Sequence, residues 1–350
     1  MSVGWKRKGA KMRKKGLLFT LVIGIMLFCG CVGSTSFIDA ENYNQFSPIY
    51  MFSSNESIIA ERIPAEKLAG STIRRDILAG NTEKCLVNDW ACDAPLGQGI
   101  CYNDFYLYDY KSGELEILNL GEKFIDNTVY MGTMNDSKVI LLDAIGGILH
   151  VYDLSTEELK EKKETDLNLP AGVSLQSVVQ IACDEEFIYL TFGIDENELC
   201  VFDYDLNLLF HKTAEEYWKL CPNIRESCLI CHGDSEFYHY TENELKDAEY
   251  NFSLTGEGLS SNTYFYPGDR VYDFYYVSEP VKDSNGVVIL DSQFIGVKGG
   301  KAYKIMDLAQ MGMDGEMVYP IIAQGNGNYI IGYYNVNEER IEYYLYEKTK

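Results

Sequence analysis

From about residue 84 onward the chain alternates short apolar and aromatic runs with clusters of Gly, Asp, Asn and polar residues. Runs such as ILLD, IYLTF and LCVF are strand-length and rich in Val, Ile, Tyr and Phe, which suits a pleated, packed surface. Stretches with 3.6-residue periodicity are scarce, and Ala65–Leu78 is the segment expected to be helical.

The runs recur. ICYNDFYLYDYKSGELEILNL begins at Ile100, ILLDAIGGILHVYDLSTEELKE at Ile140, IYLTFGIDENELCVFDYDLNLLFHK at Ile188 and LICHGDSEFYHYTENELKDAEY at Leu229. Each reads as an apolar strand, a turn, an aromatic strand, a polar turn and another strand. Two weaker copies follow, VVILDSQFIGVKGGKAYKI from Val287 and YIIGYYNVNEERIEYYLYEK from Tyr329. The polar turns fall near Ser112, Ser155, Leu206, Glu242 and Gly299, with gaps of 43, 51, 36 and 57 residues. A four-stranded propeller blade takes ~40–50 residues.

The expected fold is therefore all-β: a propeller of six four-stranded blades, with seven blades as the alternative and a β-sandwich as the competing architecture. The last copy ends after its third strand, at Lys350. A strand from the N-terminal region would complete it, either Glu56–Pro64 or Pro48–Phe52, closing the ring and covering both sheet edges. The repeats over 84–350 resemble the broad six-bladed propellers of the TolB and NHL kind carried by exported bacterial lipoproteins. VYDLSTEEL (Val151–Leu159) is also similar to kelch and quinoprotein repeats. Kelch needs a Gly pair and a later Trp in most blades, whereas only Gly146-Gly147 and Gly299-Gly300 occur and no blade has that Trp.

The N-terminus sets the expected compartment. Residues 1–16 hold Lys6, Arg7, Lys8, Lys11, Arg13, Lys14 and Lys15 and no acid, and LLFTLVIGIMLF (Leu17–Phe28) follows. That order is a secretory signal, and MRKKG from Met12 is a compact basic region by itself, so Met12 is an alternative start. Phe28-Cys29-Gly30-Cys31 resembles a bacterial lipobox. Gly30 and Cys31 match it, and Phe28 and Cys29 depart from it. The resemblance implies cleavage before Cys31 and lipidation of Cys31, hence a protein anchored on the extracytoplasmic face of the cell membrane. An uncleaved spanning anchor is the alternative. The domain reading is a signal peptide over 1–30, a tether over 31–47 and a single propeller over 48–350.

The chain carries 30 basic and 53 acidic residues, net −23, and loss of the signal's seven bases makes it −30. Such a balance repels nucleic acid and is compatible with a basic partner.

Candidate chemistry is sparse. CLICH (Cys228, Leu229, Ile230, Cys231, His232) spells the c-type haem attachment signature. In the repeat, Ser227–His232 is a second strand of the fourth blade, so Cys228 and Cys231 face opposite ways. Haem is disfavoured on that ground, and no cofactor is expected.

Cys221 and Cys228 lie across the loop PNIRES and form a candidate disulfide. Cys85 and Cys101 are a weaker candidate, with Cys92 read as lying in the loop between them. Buried free thiols are the alternative. His150, His211, His232 and His239 lack metal-type spacing. DYDLN (Asp203, Asp205, Asn207) lacks the Gly and the twelfth-position Glu of a calcium loop and reads as strand then turn.

No G-x-S-x-G, H-E-x-x-H or P-loop occurs. The functional expectation is a binding module for an envelope protein or glycan. The alternative is a polysaccharide hydrolase or lyase with an axial carboxylate pair.

Overall fold

The computed structural model describes residues 37–59, 72–92, 101–118, 120, 130–193, 197–221, 228–233, 236–241, 243–248, 265–266, 268, 271–278, 280–282, 285–313, 318–323 and 327–349. They belong to one compact unit, Phe37–Lys350. Cys31, like the rest of residues 1–36, lies outside the described residues.

Two strands come first, β1 (Ile38–Asp39) and β2 (Phe46–Ser53). Blade 1 is β3 (Thr72–Gly80), β4 (Lys84–Cys92), β5 (Cys101–Asp109) and β6 (Leu115–Ile117). Blade 2 is β7 (Tyr130–Met134), β8 (Lys138–Asp143), β9 (Ile148–Asp153) and β10 (Leu159–Lys163). Blade 3 is β11 (Val178–Cys183), β12 (Phe187–Phe192), β13 (Glu198–Asp203) and β14 (Leu208–Thr213). Blade 4 is β15 (Trp218–Cys221), β16 (Leu229–His232), β17 (Glu236–Thr241) and β18 (Glu244–Asp247).

Blade 5 starts with β19 (Phe265–Tyr266) and β20 (Phe274–Ser278). An inserted hairpin follows, β21 (Val281–Lys282) and β22 (Val288–Leu290). The blade then resumes with β23 (Gln293–Lys298) and β24 (Lys301–Asp307), and β1 adds in parallel to β24. Blade 6 is β25 (Val318–Ala323), β26 (Tyr329–Asn335), β27 (Arg340–Lys348) and, from the other end of the chain, β2. The first strands of the six sheets touch one another in cyclic order, the last meeting β3. The fold is a six-bladed β-propeller.

Closure uses Pro48–Phe52, inside β2, which pairs antiparallel with β27 from Phe46↔Lys348 to Ser53↔Glu342. Glu56–Ile59 are not strand, and 60–64 lie outside the described residues. Both β1 and β2 begin before residue 48, so the propeller takes up part of the segment read as tether.

The expected helix over Ala65–Leu78 is corrected over its described part, because Thr72–Gly80 is the inner strand of blade 1. Its burial alternates by twos: Arg75, Ile77 and Ala79 are buried, while Arg74, Asp76 and Leu78 are less so. Arg75 counts as polar in the sequence yet is buried against Asp89, which hid the period-two pattern. In blade 5, Val288–Leu290 belong to the inserted hairpin, and β20 is the blade's second strand. The insertion explains the long gap before Gly299.

Six apolar clusters fill the six blade interfaces. Ile188, Leu190 and Phe192 of β12 pack toward blade 2, whereas Tyr189 between them packs toward blade 4. Cys200 and Phe202 of β13 likewise oppose Leu199 and Val201. Strands covered on both faces need unbroken apolar runs, since alternate side chains enter different interfaces. That is the physical origin of the run-and-turn pattern.

First strands of all blades start at one end of the ring, called here the entry end. Turns between second and third strands lie there too. The opposite, exit end holds the turns between first and second and between third and fourth strands. Ser112, Ser155, Leu206 and Gly299 all fall in third-to-fourth turns, and Glu242 lies outside the described residues.

In three of these an Asp ends the third strand and its carboxylate accepts from the turn's backbone. Asp109 accepts from Lys111 and Ser112, Asp153 from Ser155 and Thr156, and Asp203 from Asp205 and Asn207. The DYDLN stretch is thus a turn of the repeat. In blade 5, Gly299 (φ +55°) and Gly300 (φ +72°) form a two-residue turn, whose two left-handed positions favour glycine.

A second exit-end device links neighbours. Asn81, Asn135 and Asp184 each follow a first strand and accept from backbone N–H groups of their own turn. Asn81 also donates to the Asn135 carbonyl (3.3 Å), Asn135 to the Asp184 carbonyl (2.7 Å), and Asp184 accepts from Cys228 N–H (3.0 Å). Blades 1 to 4 are stitched in series by these buried groups.

Candidate functional site

Among the described residues, the exit-end turns of blades 1 to 3 are short and their polar groups serve one another. The longer connections, such as 164–177 and 279–292, lie at the entry end, where loops are freer to carry recognition. The candidate site is therefore built there.

Near the axis, blade 1 presents Arg74 and Asp76 on β3. Arg74 Nε donates to Asp76 Oδ1 (2.7 Å), Trp90 Nε1 to Asp76 Oδ2 (3.4 Å) and Tyr343 Oη to Asp76 Oδ1 (3.3 Å). Burial, with the Asp76 charge close by, raises the Tyr343 hydroxyl well above the ordinary phenol range, so it stays a donor.

Beside this group, Arg75 and Asp89 form a buried two-point pair at 2.7 and 3.1 Å. Asp89 Oδ2 also accepts from Ile58 N–H (2.7 Å), which ties the segment after β2 to blade 1. Among the described residues the six first strands carry one carboxylate, Asp76. It already has three donors. A pair of acids facing each other from these strands is not present among the described residues.

Between blades 3 and 4 the entry end holds an aromatic and charged cluster. Trp218 opens β15, is fully buried and donates through Nε1 to the Asn197 carbonyl (3.2 Å). His232 lies against its ring at 4.6 Å, and Lys212 Nζ sits 5.5 Å from that ring and 5.6 Å from Tyr238. Glu236 Oε2 faces His232 Nδ1 (2.8 Å) and accepts from Tyr238 Oη (3.0 Å). The His232 bond, then the Tyr238 bond, lower the Glu236 carboxyl. Glu198 faces His211 Nε2 at 2.6 Å and accepts from Thr213 (2.9 Å). This arrangement fixes loop ends and buries one of the Trp residues that could have stacked on a sugar ring.

Exposed apolar side chains show the clearest asymmetry between the ends. Ile145, Val179, Val287, Val288 and Val336 lie at the entry end, in blades 2, 3, 5 and 6. Ile145, Val287 and Val336, in turns or at the hairpin tip, are each more than half exposed. Val271 is the large exposed apolar residue of the exit end among the described residues. Ile38, Ile49, Tyr50 and Ile117 complete the set and lie on the outer or next-to-outer strands.

CLICH lies where the repeat puts it. Leu229–His232 is β16, the second strand of blade 4. Cys228 packs in the blade 3/4 interface and Cys231 in the blade 4/5 interface. Cys221 joins Cys231 there, and its cross-strand partner is Leu229 rather than Cys228. Both Cys221 and Cys228 are buried free thiols, and joining them needs a register one residue different.

Cys85, also a buried free thiol, faces Tyr108 across the ladder, not Cys101. Cys92 ends β4 and does not lie in the loop. His150 sits on β9 with Nδ1 3.6 Å from Glu161, and His239 is on β17. No group of three or more metal-ligating side chains converges among the described residues. Missed in the sequence were the Asn81, Asn135 and Asp184 links. Their signal was an Asn or Asp three residues before the second strand of blades 1 to 3.

Comparison with known proteins adds little beyond the fold. No family model matches the chain, and no curated protein matches it. Solved structures do align. The β-propeller domain of the Trilobed protease from Pyrococcus furiosus is 11% identical, covering 76% of this chain and 78% of that one, with a TM-score of 0.43. The Pyrococcus horikoshii acylaminoacyl peptidase is 12% identical over 77% of this chain and 44% of its own, with a TM-score of 0.45. TolB from Acinetobacter baumannii is 9% identical, 81% and 65% covered, with a TM-score of 0.39. The chain is thus similar to peptidase propellers and to TolB at low identity, and its own strand pairing makes it a six-bladed β-propeller.

Proposed function

We propose that the protein is an extracytoplasmic, lipid-anchored propeller that binds a protein partner through its entry-end face. The observation that carries the reading is the gathering of Ile145, Val179, Val287, Val288 and Val336 at one end of the ring. Single exposed apolar residues are ordinary, but their grouping on loops and strand ends of four blades suits the apolar contacts of a protein interface. Burial of Trp218, with Trp90 tied through Nε1 to Asp76, favours a protein over a glycan. The engaged state of Asp76 favours binding over a two-carboxylate hydrolysis. The acidic balance favours a basic partner.

Anchoring rests on the basic and apolar N-terminus ending at Gly30-Cys31. Metabolic labelling with a fatty acid tests it: label is expected in the wild type and absent from Cys31→Ala, and equal label in both refutes anchoring. Binding is tested by capture from the native envelope. The triple variant Ile145→Glu, Val287→Glu, Val336→Glu should retain at least tenfold less partner, while Val271→Glu at the exit end retains it fully. Equal capture by both variants, or turnover of a cell-wall glycan by the wild type, overturns the reading.

A further inference from the structure

The register of β4 and β5 carries an inference about Cys92 and Cys101. The two strands pair without a bulge from Lys84↔Asp109 to Cys92↔Cys101, so these cysteines are direct cross-strand partners. In an antiparallel ladder, opposed residues alternate between hydrogen-bonded and non-hydrogen-bonded pairs.

Three backbone bonds set the phase here. Tyr110 N–H donates to the Glu83 carbonyl (3.1 Å), which makes the next pair, Lys84↔Asp109, non-hydrogen-bonded. On the far side of β5, Asp109 N–H donates to Glu114 (2.9 Å) and Phe105 accepts from Leu118 (2.8 Å), so both residues turn their backbone groups toward β6. Stepping by twos from Asp109 and Phe105 reaches Cys101. Cys92↔Cys101 is therefore a non-hydrogen-bonded pair. Such pairs have Cα atoms ~4.5 Å apart, inside the ~4.4–6.8 Å span of disulfides. None of the other register pairs among the described residues joins two cysteines.

We propose that Cys92 and Cys101 form a cross-strand disulfide that clamps the base of the 93–100 connection at the entry end of blade 1. The oxidant is a disulfide, supplied in the cell by a thiol–disulfide oxidoreductase and in the test tube by oxidised glutathione. One cysteine loses its proton and its thiolate attacks the glutathione disulfide, releasing one glutathione thiolate and leaving a mixed disulfide. The second thiolate then displaces the other glutathione. Two S–H bonds are lost, one S–S bond forms, and one glutathione disulfide is reduced to two thiols.

The bond in the cell rests on the extracytoplasmic reading, whereas its formation from glutathione does not. The purified protein is equilibrated with oxidised glutathione, alkylated under denaturing conditions without reduction, and mapped by peptide mass. The expected result is one linked 92–101 peptide pair, two hydrogens lighter than the reduced pair, with Cys221 and Cys228 alkylated. In Cys92→Ser, Cys101 should lose its protein partner and carry alkyl or glutathione.

Reducing the wild type should lower its melting temperature by roughly 2–5 °C without changing its circular dichroism. If Cys92 and Cys101 are both alkylated in folded, glutathione-treated wild type, or if Cys101 is found joined to Cys85, the proposal is overturned. Thiols trapped in whole cells separate the two readings. A linked pair supports both. A pair that links with glutathione but is free in cells supports the bond and overturns the location.

Discussion

Removing the carboxylate of Asp89 should be among the most damaging single changes in the ring. Asp89 is fully buried, holds the Arg75 guanidinium at two points and accepts the Ile58 N–H. Asp89→Ala leaves a buried guanidinium with its two-point carboxylate gone and an N–H without its acceptor. Breaking a buried pair from one side costs ~3–5 kcal/mol. For a compact unit spanning residues 37–350, an unfolding entropy of ~2.1 cal/mol/K per residue gives about 0.66 kcal/mol/K. The melting temperature should then fall by roughly 5–8 °C.

Arg75→Met alone should cost a similar amount, because it strands the carboxylate. The double variant Arg75→Met, Asp89→Leu removes both charges together and should recover most of the loss, since apolar replacement of a buried pair is often near neutral. Calorimetry on the wild type, Arg75→Met, Asp89→Leu and the double variant closes the cycle and measures the coupling. A fall below about 2 °C for Asp89→Ala, or strictly additive single effects, would refute the reasoning.

Other outcomes follow from the same architecture. Phe52, 2% exposed on β2, packs on Tyr343 and Tyr108; Phe52→Ala should cost ~3–5 kcal/mol, seen in denaturant titration, and deleting residues 37–53 should open blade 6. Asn135→Ala breaks the link to the Asp184 carbonyl and should cost ~1–3 kcal/mol, whereas a loss under 0.5 kcal/mol would make the link decorative.

Lys138, then the hydroxyl and N–H groups of the turn, hold the Asp153 carboxyl well below its usual range. A depressed carboxylate stabilises the fold above its unfolded pKa, and that share is lost as pH falls through the folded value. Asp153→Asn should therefore flatten the acid limb of the melting-temperature profile below about pH 4; an unchanged limb would contradict it. Burial pushes the Cys183 and Cys200 thiols up to about 12, so neither should react with maleimide at neutral pH until the protein is unfolded.

Much of the ring was legible in the chain because a propeller repeats a local rule. Strands packed on both faces demand unbroken apolar runs, and each third strand must end in a tight turn. Tyr108-Asp109, Tyr152-Asp153 and Phe202-Asp203 therefore mark the repeat even where the rest diverges. The opposite facing of Cys228 and Cys231 followed from strand periodicity alone. The missing fourth strand of the last copy announced a closing partner from the N-terminus, and the pairing with β27 decided between two segments.

What stayed hidden depended on contacts distant in sequence. Arg75 looked like a surface residue until Asp89, paired across the hairpin, took its charge into the interior. The Val288–Leu290 run looked like a blade strand because only topology distinguishes a strand from an inserted hairpin of similar composition. Cys92 facing Cys101, and not Cys85, is a matter of register, which the pairing of β4 with β5 sets over nine residues. The gathering of Ile145, Val287 and Val336 at one end is a matter of strand direction. Local sequence determines which residues make strands and turns. Only the closed ring decides which ends those turns share and which side chains meet across them, because those contacts join segments tens to hundreds of residues apart.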